Sequence, residues 1–87
     1  MDREVTLQNK TGLHARPAAL FVQEASKYKS DIKVEKDGKQ VNAKSIMGIL
    51  SLGVAQGGKI RISASGVDES DALDALAKLV ESKFGEE

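Results

Sequence analysis

The run Asp31-Ile32-Lys33-Val34-Glu35-Lys36-Asp37-Gly38-Lys39-Gln40-Val41-Asn42 has the pattern of a chain that doubles back on itself. Ile32 and Val34 alternate with Asp31, Lys33 and Glu35, the two-residue period of a strand with one buried face. Asp37-Gly38 is the residue pair best suited to a two-residue turn, whose central positions need positive φ, and the chain returns through Gln40-Val41-Asn42. Such a hairpin commits the sheet to antiparallel pairing, with one face covered and the other free to stay wet.

The flanking segments extend the same sheet. Val5 and Leu7 alternate with Thr6 and Gln8, and after a turn at Gln56-Gly57-Gly58-Lys59 so do Ile60, Ile62 and Ala64 with their neighbours. Between the strands lie three helical patterns. Ala18, Phe21, Val22 and Ala25 fall on one side of a helix expected over residues 17–27. Leu20 points nearly opposite that stripe, so it is either a scattered exposed apolar residue or part of a docking surface. Ser45 is a good N-cap and Gly53 a good stop for a short helix carrying Ile46, Met47, Ile49, Leu50 and Leu52. Ile46, Met47 and Leu50 share one face and Ile49 and Leu52 another, so one set stays exposed unless a loop or a partner covers it. The last helix starts after Gly66 with Asp68 as candidate cap, and its buried stripe is Ala72, Leu73, Leu76, Leu79 and Val80. Gly85-Glu86-Glu87 reads as a frayed tail. The order βαββαβα implies an α+β open-faced sandwich, a four-stranded antiparallel sheet covered on one face by three helices, in one domain over residues 1–87.

Composition excludes several functions. Thirteen basic and thirteen acidic residues cancel, and aromatic residues make up only 3% of the chain, so no basic field and almost no stacking surface exist for nucleic acid. Without cysteine there is no disulfide framework, and with one histidine the usual ligand sets for zinc cannot be assembled. The charged start Met1-Asp2-Arg3-Glu4 is neither a signal peptide nor a membrane span, which makes the cytoplasm the expected compartment.

The chemistry concentrates in Lys10-Thr11-Gly12-Leu13-His14-Ala15-Arg16-Pro17, which holds the only histidine and the only proline. Gly12 permits a tight loop, and Pro17 suits the first turn of a helix, where its missing N–H costs nothing. Because a residue before proline avoids the α region, Arg16 is expected just outside the helix. His14 and Arg16 then stand beside unpaired backbone N–H groups at a helix N-terminus, a place that attracts anions. A ring nitrogen with a free lone pair facing phosphate-binding donors suits phosphoryl capture, against the blander alternative of an ordinary loop histidine.

The segment TGLHARPAALFVQEASKY, residues 11–28, resembles the active-site segment of HPr, the histidine-containing phosphocarrier of the bacterial sugar phosphotransferase system. Residues 42–53, NAKSIMGILSLG, are similar to the family's second signature and residues 60–66, IRISASG, to the strand that follows it. The resemblance implies the same sandwich, with the first and the short helix side by side. It implies that His14 takes a phosphoryl group on Nδ1 from enzyme I, itself charged by phosphoenolpyruvate, and passes it to a histidine on an enzyme IIA domain. Arg16 and the backbone N–H groups beyond Ala15 would stabilise the phosphoryl charge, and Pro17 would fix the turn. Leu20, Ile46, Met47 and Leu50 would form an apolar collar docking both partners, with Gln23 and Lys44 as its polar rim. The stretch around Ser45 is similar to the Gram-positive form of the family. There a kinase/phosphorylase modifies this serine and the product binds catabolite control protein A. No cofactor and no membrane insertion are implied, and a face that serves several partners suits a monomer. Two alternatives stay open: a regulatory interaction domain without phosphoryl transfer, whose known paralogues lack the histidine, and the nitrogen-regulatory branch of the same family. A stand-alone enzyme is the weakest alternative, because the chain offers no second domain to form a cleft and no paired acid and base.

Overall fold

The computed structural model describes residues 1–86. Four strands, β1 (Asp2–Thr6), β2 (Asp31–Lys36), β3 (Lys39–Asn42) and β4 (Lys59–Ser65), form one sheet in the order β1-β4-β2-β3, every pair antiparallel. The register matches apolar residues across the ladder, with Val5 opposite Ile60, Val34 opposite Ile62 and Ile32 opposite Ala64. Asp37 and Gly38 both take positive φ, 51° and 82°, as the two-residue turn requires.

Three helices cover that apolar side: α1 (Ala15–Ala25), α2 (Ile46–Ser51) and α3 (Glu69–Glu81). Ala18, Phe21 and Ala25 of α1, Ile49 of α2, and Ala72, Leu73, Leu76 and Val80 of α3 are buried against Ile32, Val34, Ile60, Ile62 and Ala64 of the sheet. Each large side chain so buried stabilises the fold by roughly 1.5–3 kcal/mol before chain entropy is counted. The opposite side of the sheet carries Glu4, Glu35, Lys59 and Arg61, and the depression there lies among charged groups. The expected sandwich is the observed one.

Three local expectations change. Leu20 is half-buried and packs on the core cluster, because α1 lies against both α2 and α3 and is covered on more than one side. Asp68 does precede α3, but its carboxylate turns away from the helix. It accepts from the backbone N–H groups of Lys29 and Ser30, both at 2.9 Å, and from the Ser30 hydroxyl. The pairing of Asp31 with Ser65 brings residues 30 and 66 together, so this carboxylate bridges two loops that sequence keeps apart. Of the tail Gly85-Glu86-Glu87 expected to fray, Gly85 closes a tight turn over Lys83–Gly85 that buries the Phe84 ring and Glu86 is held by hydrogen bonds to Asn9 and Thr11, while Glu87 lies outside the described residues.

Candidate functional site

The loop between β1 and α1 is fastened to the loop between α2 and β4. Leu7 N–H donates to the Gly58 carbonyl at 2.9 Å, Gly57 N–H to Leu7 at 2.7 Å, and Leu13 N–H to Val54 at 3.0 Å. Gly12 passes through this contact at φ 63°, and a Cβ there would collide with the Val54 carbonyl oxygen and the Ala55 backbone. His14 follows in extended conformation at the N-cap of α1; its imidazole is exposed and makes no capping hydrogen bond.

The helix begins two residues before Pro17. Arg16, expected just outside the helix, lies within it, and the non-helical conformation falls instead on Ala15, whose φ of 51° is left-handed, at roughly 1–2 kcal/mol for a residue with a Cβ. A strained backbone next to an exposed imidazole is the kind of outlier found at functional positions. Arg16 and Pro17 therefore both lie in the first helical turn, where backbone N–H groups have no intrahelical acceptor.

Arg16 Nη1 donates to the Phe84 carbonyl at 3.2 Å. The Glu86 carboxylate accepts from the Thr11 hydroxyl at 2.9 Å and from Asn9 Nδ2 at 3.2 Å, and the same amide donates to the Gly12 carbonyl at 2.9 Å. These bonds hold the Glu86 carboxyl below the usual range, the Thr11 hydroxyl contributing most, with Asn9 and the Arg16 charge adding. Asn9, Thr11, Phe84 and Glu86 were not singled out in the sequence. One signal was available for the turn: Phe84 is one of only two phenylalanines, too apolar for a solvated tail.

On α2, Ser45 caps the helix by accepting from Gly48 N–H at 3.1 Å, and Gly53 ends it with φ 62°. Ile49 is buried, while Ile46, Met47 and Leu50 are 39%, 73% and 37% exposed. Of the two apolar sets on the wheel, this is the one facing solvent. Lys44 Nζ donates to the Tyr28 carbonyl at 2.7 Å, beyond the C-terminal end of α1, whereas Val54 beyond the far end of α2 meets Leu13 at the start of α1. The two helices thus run antiparallel side by side. Ser45 lies toward the end of α1 remote from His14, with the exposed apolar strip of α2, about 9 Å long, between them. Gln23 is exposed on α1. Among the described residues no group of acidic or histidine side chains is arranged to hold a metal, and no helix is long and apolar enough to cross a membrane.

The family model for the HPr component phosphorylation site of the phosphotransferase system matches residues 1–82. The chain belongs to the HPr family. It is 54% identical over 81 residues to the HPr-like protein Crh of Bacillus subtilis, covering 93% of this chain and 95% of that protein. It superimposes on the crystal structure of an HPr from Thermoanaerobacter tengcongensis with a TM-score of 0.98 and 64% identity, over 100% of this chain and 98% of that one. A crystal structure of Bacillus subtilis Crh, described as a domain-swapped dimer, matches with a TM-score of 0.77 at 54% identity over 93% of each chain. The family is one of phosphoryl carriers in the phosphotransferase system, and Crh is linked by its description to catabolite repression.

Proposed function

We propose that the chain is a phosphocarrier that accepts a phosphoryl group from phospho-enzyme I on His14 and donates it to enzyme IIA domains. The observation that carries this reading is the exposed imidazole at the N-cap of α1, with Arg16 in the first turn behind it. The Nδ1 lone pair attacks the phosphorus of the donor's phosphohistidine, a new N–P bond forming as the old one breaks and the donor ring keeps its electron pair. Backbone N–H groups of the first turn and the Arg16 guanidinium offset the charge on the phosphoryl oxygens. Pro17 holds the turn. An exposed histidine suits a shuttle, since the group must be reachable by two partners in turn. Ile46, Met47 and Leu50, with Leu20 at their margin, form the docking strip, and Gln23 and Lys44 its polar edge. The reading carries with it one domain, the cytoplasm and action as a monomer.

Phosphotransfer from radiolabelled phosphoenolpyruvate through purified enzyme I tests it. Wild type takes up acid-labile, base-stable label and His14→Ala takes up none; absence of label on wild type with an active enzyme I would overturn the reading.

A second role belongs to Ser45. The description of the Crh structure links that relative to catabolite repression, which supports a regulatory function here; the kinase/phosphorylase as modifying enzyme and catabolite control protein A as reader are what the sequence resemblance around Ser45 implies. Phosphate on the Ser45 hydroxyl would sit at the N-terminus of α2, tolerated by the backbone, yet would add nearly two negative charges to the docking surface. The intact His14 favours the carrier over a purely regulatory paralogue.

A further inference from the structure

We infer that Glu86 is a positioning residue for phosphoryl transfer, its carboxylate clamping the loop that presents His14 while the turn that carries it fixes the Arg16 guanidinium. This rests on the phosphocarrier reading above. The clamp spans the loop: one carboxylate oxygen accepts from the Thr11 hydroxyl at 2.9 Å and the other from Asn9 Nδ2 at 3.2 Å. Asn9 is itself buried and passes the constraint to the Gly12 carbonyl, two residues before His14.

The turn is anchored firmly enough to act as a support. The Phe84 ring is buried in the core cluster, and Lys83, Phe84 and Gly85 all hold left-handed φ, 59°, 54° and 77°. Residues with a Cβ do not take that conformation in succession unless their surroundings impose it. The second strained point, Ala15, lies on the other side of the same contact, next to the Arg16 that the Phe84 carbonyl holds. Arg16 spends one N–H on that carbonyl and keeps the remaining donors of its fork for a phosphoryl group. The Glu86 carboxylate is held first by Thr11 and then by Asn9, the Arg16 charge being the weakest of the influences on it, so its main contribution is the geometry of the loop.

The experiment is steady-state phosphotransfer from phosphoenolpyruvate through enzyme I to wild type, Glu86→Ala, Glu86→Gln and Thr11→Val, with urea midpoints confirming that all four are folded. Loss of a positioning contact lowers kcat for Glu86→Ala and Thr11→Val by about tenfold, with KM near the wild-type value because the α2 strip is untouched. Glu86→Gln, which keeps an acceptor oxygen but not the charge, recovers most of the rate. Glu86→Ala transferring at or above the wild-type kcat overturns the inference, as does a loss that appears only in KM, or Glu86→Gln as slow as Glu86→Ala. A wild type that takes no phosphate overturns the carrier reading itself, which a silent Glu86 variant would leave standing.

Discussion

Leu13 N–H donates to the Val54 carbonyl at 3.0 Å, and it is that same oxygen that a side chain on Gly12 would strike. Two loops 42 residues apart (54 − 12) thus meet through a backbone contact that only glycine allows. Gly12→Ala must adopt φ 63° and also displace backbone, at a combined loss of roughly 3 kcal/mol. Gly53→Ala is the control: its φ of 62° is similar but nothing lies near the added Cβ, and it loses about 1–2 kcal/mol. Urea denaturation of both variants separates collision from conformation.

Ser45→Ala removes the oxygen that accepts from Gly48 N–H and lowers stability by about 1 kcal/mol. Ser45→Asp keeps an acceptor at that cap and stays folded, yet places a charge beside Ile46 and Met47. Its phosphorylation by enzyme I is slower than that of wild type; an unchanged rate would count against Ser45 as a switch for docking.

Met47 and Ile49 lie two residues apart on α2 and have opposite consequences. Met47→Ala leaves the urea midpoint nearly unchanged, because 73% of the residue is already in water, but raises KM for enzyme I severalfold. Ile49→Ala empties a fully buried site and loses about 2–5 kcal/mol.

Asp68 gives the fold an acid dependence. Its carboxyl is held below the ordinary aspartate value, first by the Ser30 hydroxyl and then by the Lys29 N–H. A lowered folded pKa means that the contribution is complete above the unfolded value and is lost as pH falls through the folded one. Asp68→Asn is therefore less stable than wild type at pH 7, and the difference between their urea midpoints narrows once the pH drops below the ordinary aspartate range.

What was legible in the sequence was local. The Asp37-Gly38 turn, the alternation of Ile32 with Val34 and of Ile60 with Ile62, and the Ser45 cap each depend on residues within a few positions, and each stands where periodicity placed it. The wheel separated Ile46, Met47 and Leu50 from Ile49 and Leu52, and the packing of α2 on the core decided which set is exposed, burying Ile49 and leaving the first three in solvent. What was not legible depends on distant partners. Asp68 had a cap's sequence position, but sheet pairing offered it three donors around Ser30 instead. Lys44 had the look of a free rim charge, and its ammonium is drawn to the Tyr28 carbonyl at the end of α1. Glu86 had no local pattern at all; its partners Asn9 and Thr11 lie more than 70 positions away, since 86 − 11 is 75.

The strand order has a consequence for the timing of assembly. Because β4 lies between β1 and β2, both ladders that flank it wait until residues 59–65 arrive, whereas the β2–β3 hairpin closes within its own twelve residues, 31–42. Closing the longer loops is the slow step, since their ordering must precede the contacts that reward it. Until β4 inserts, β1 has no neighbour, and the segment from Leu7 to Leu13 lacks the carbonyls of Gly58 and Val54 that shape it. A half-assembled chain can own its helices and its hairpin and still present no ordered histidine. On the phosphocarrier reading proposed above, uptake of phosphate therefore waits for β4 to take its place between β1 and β2.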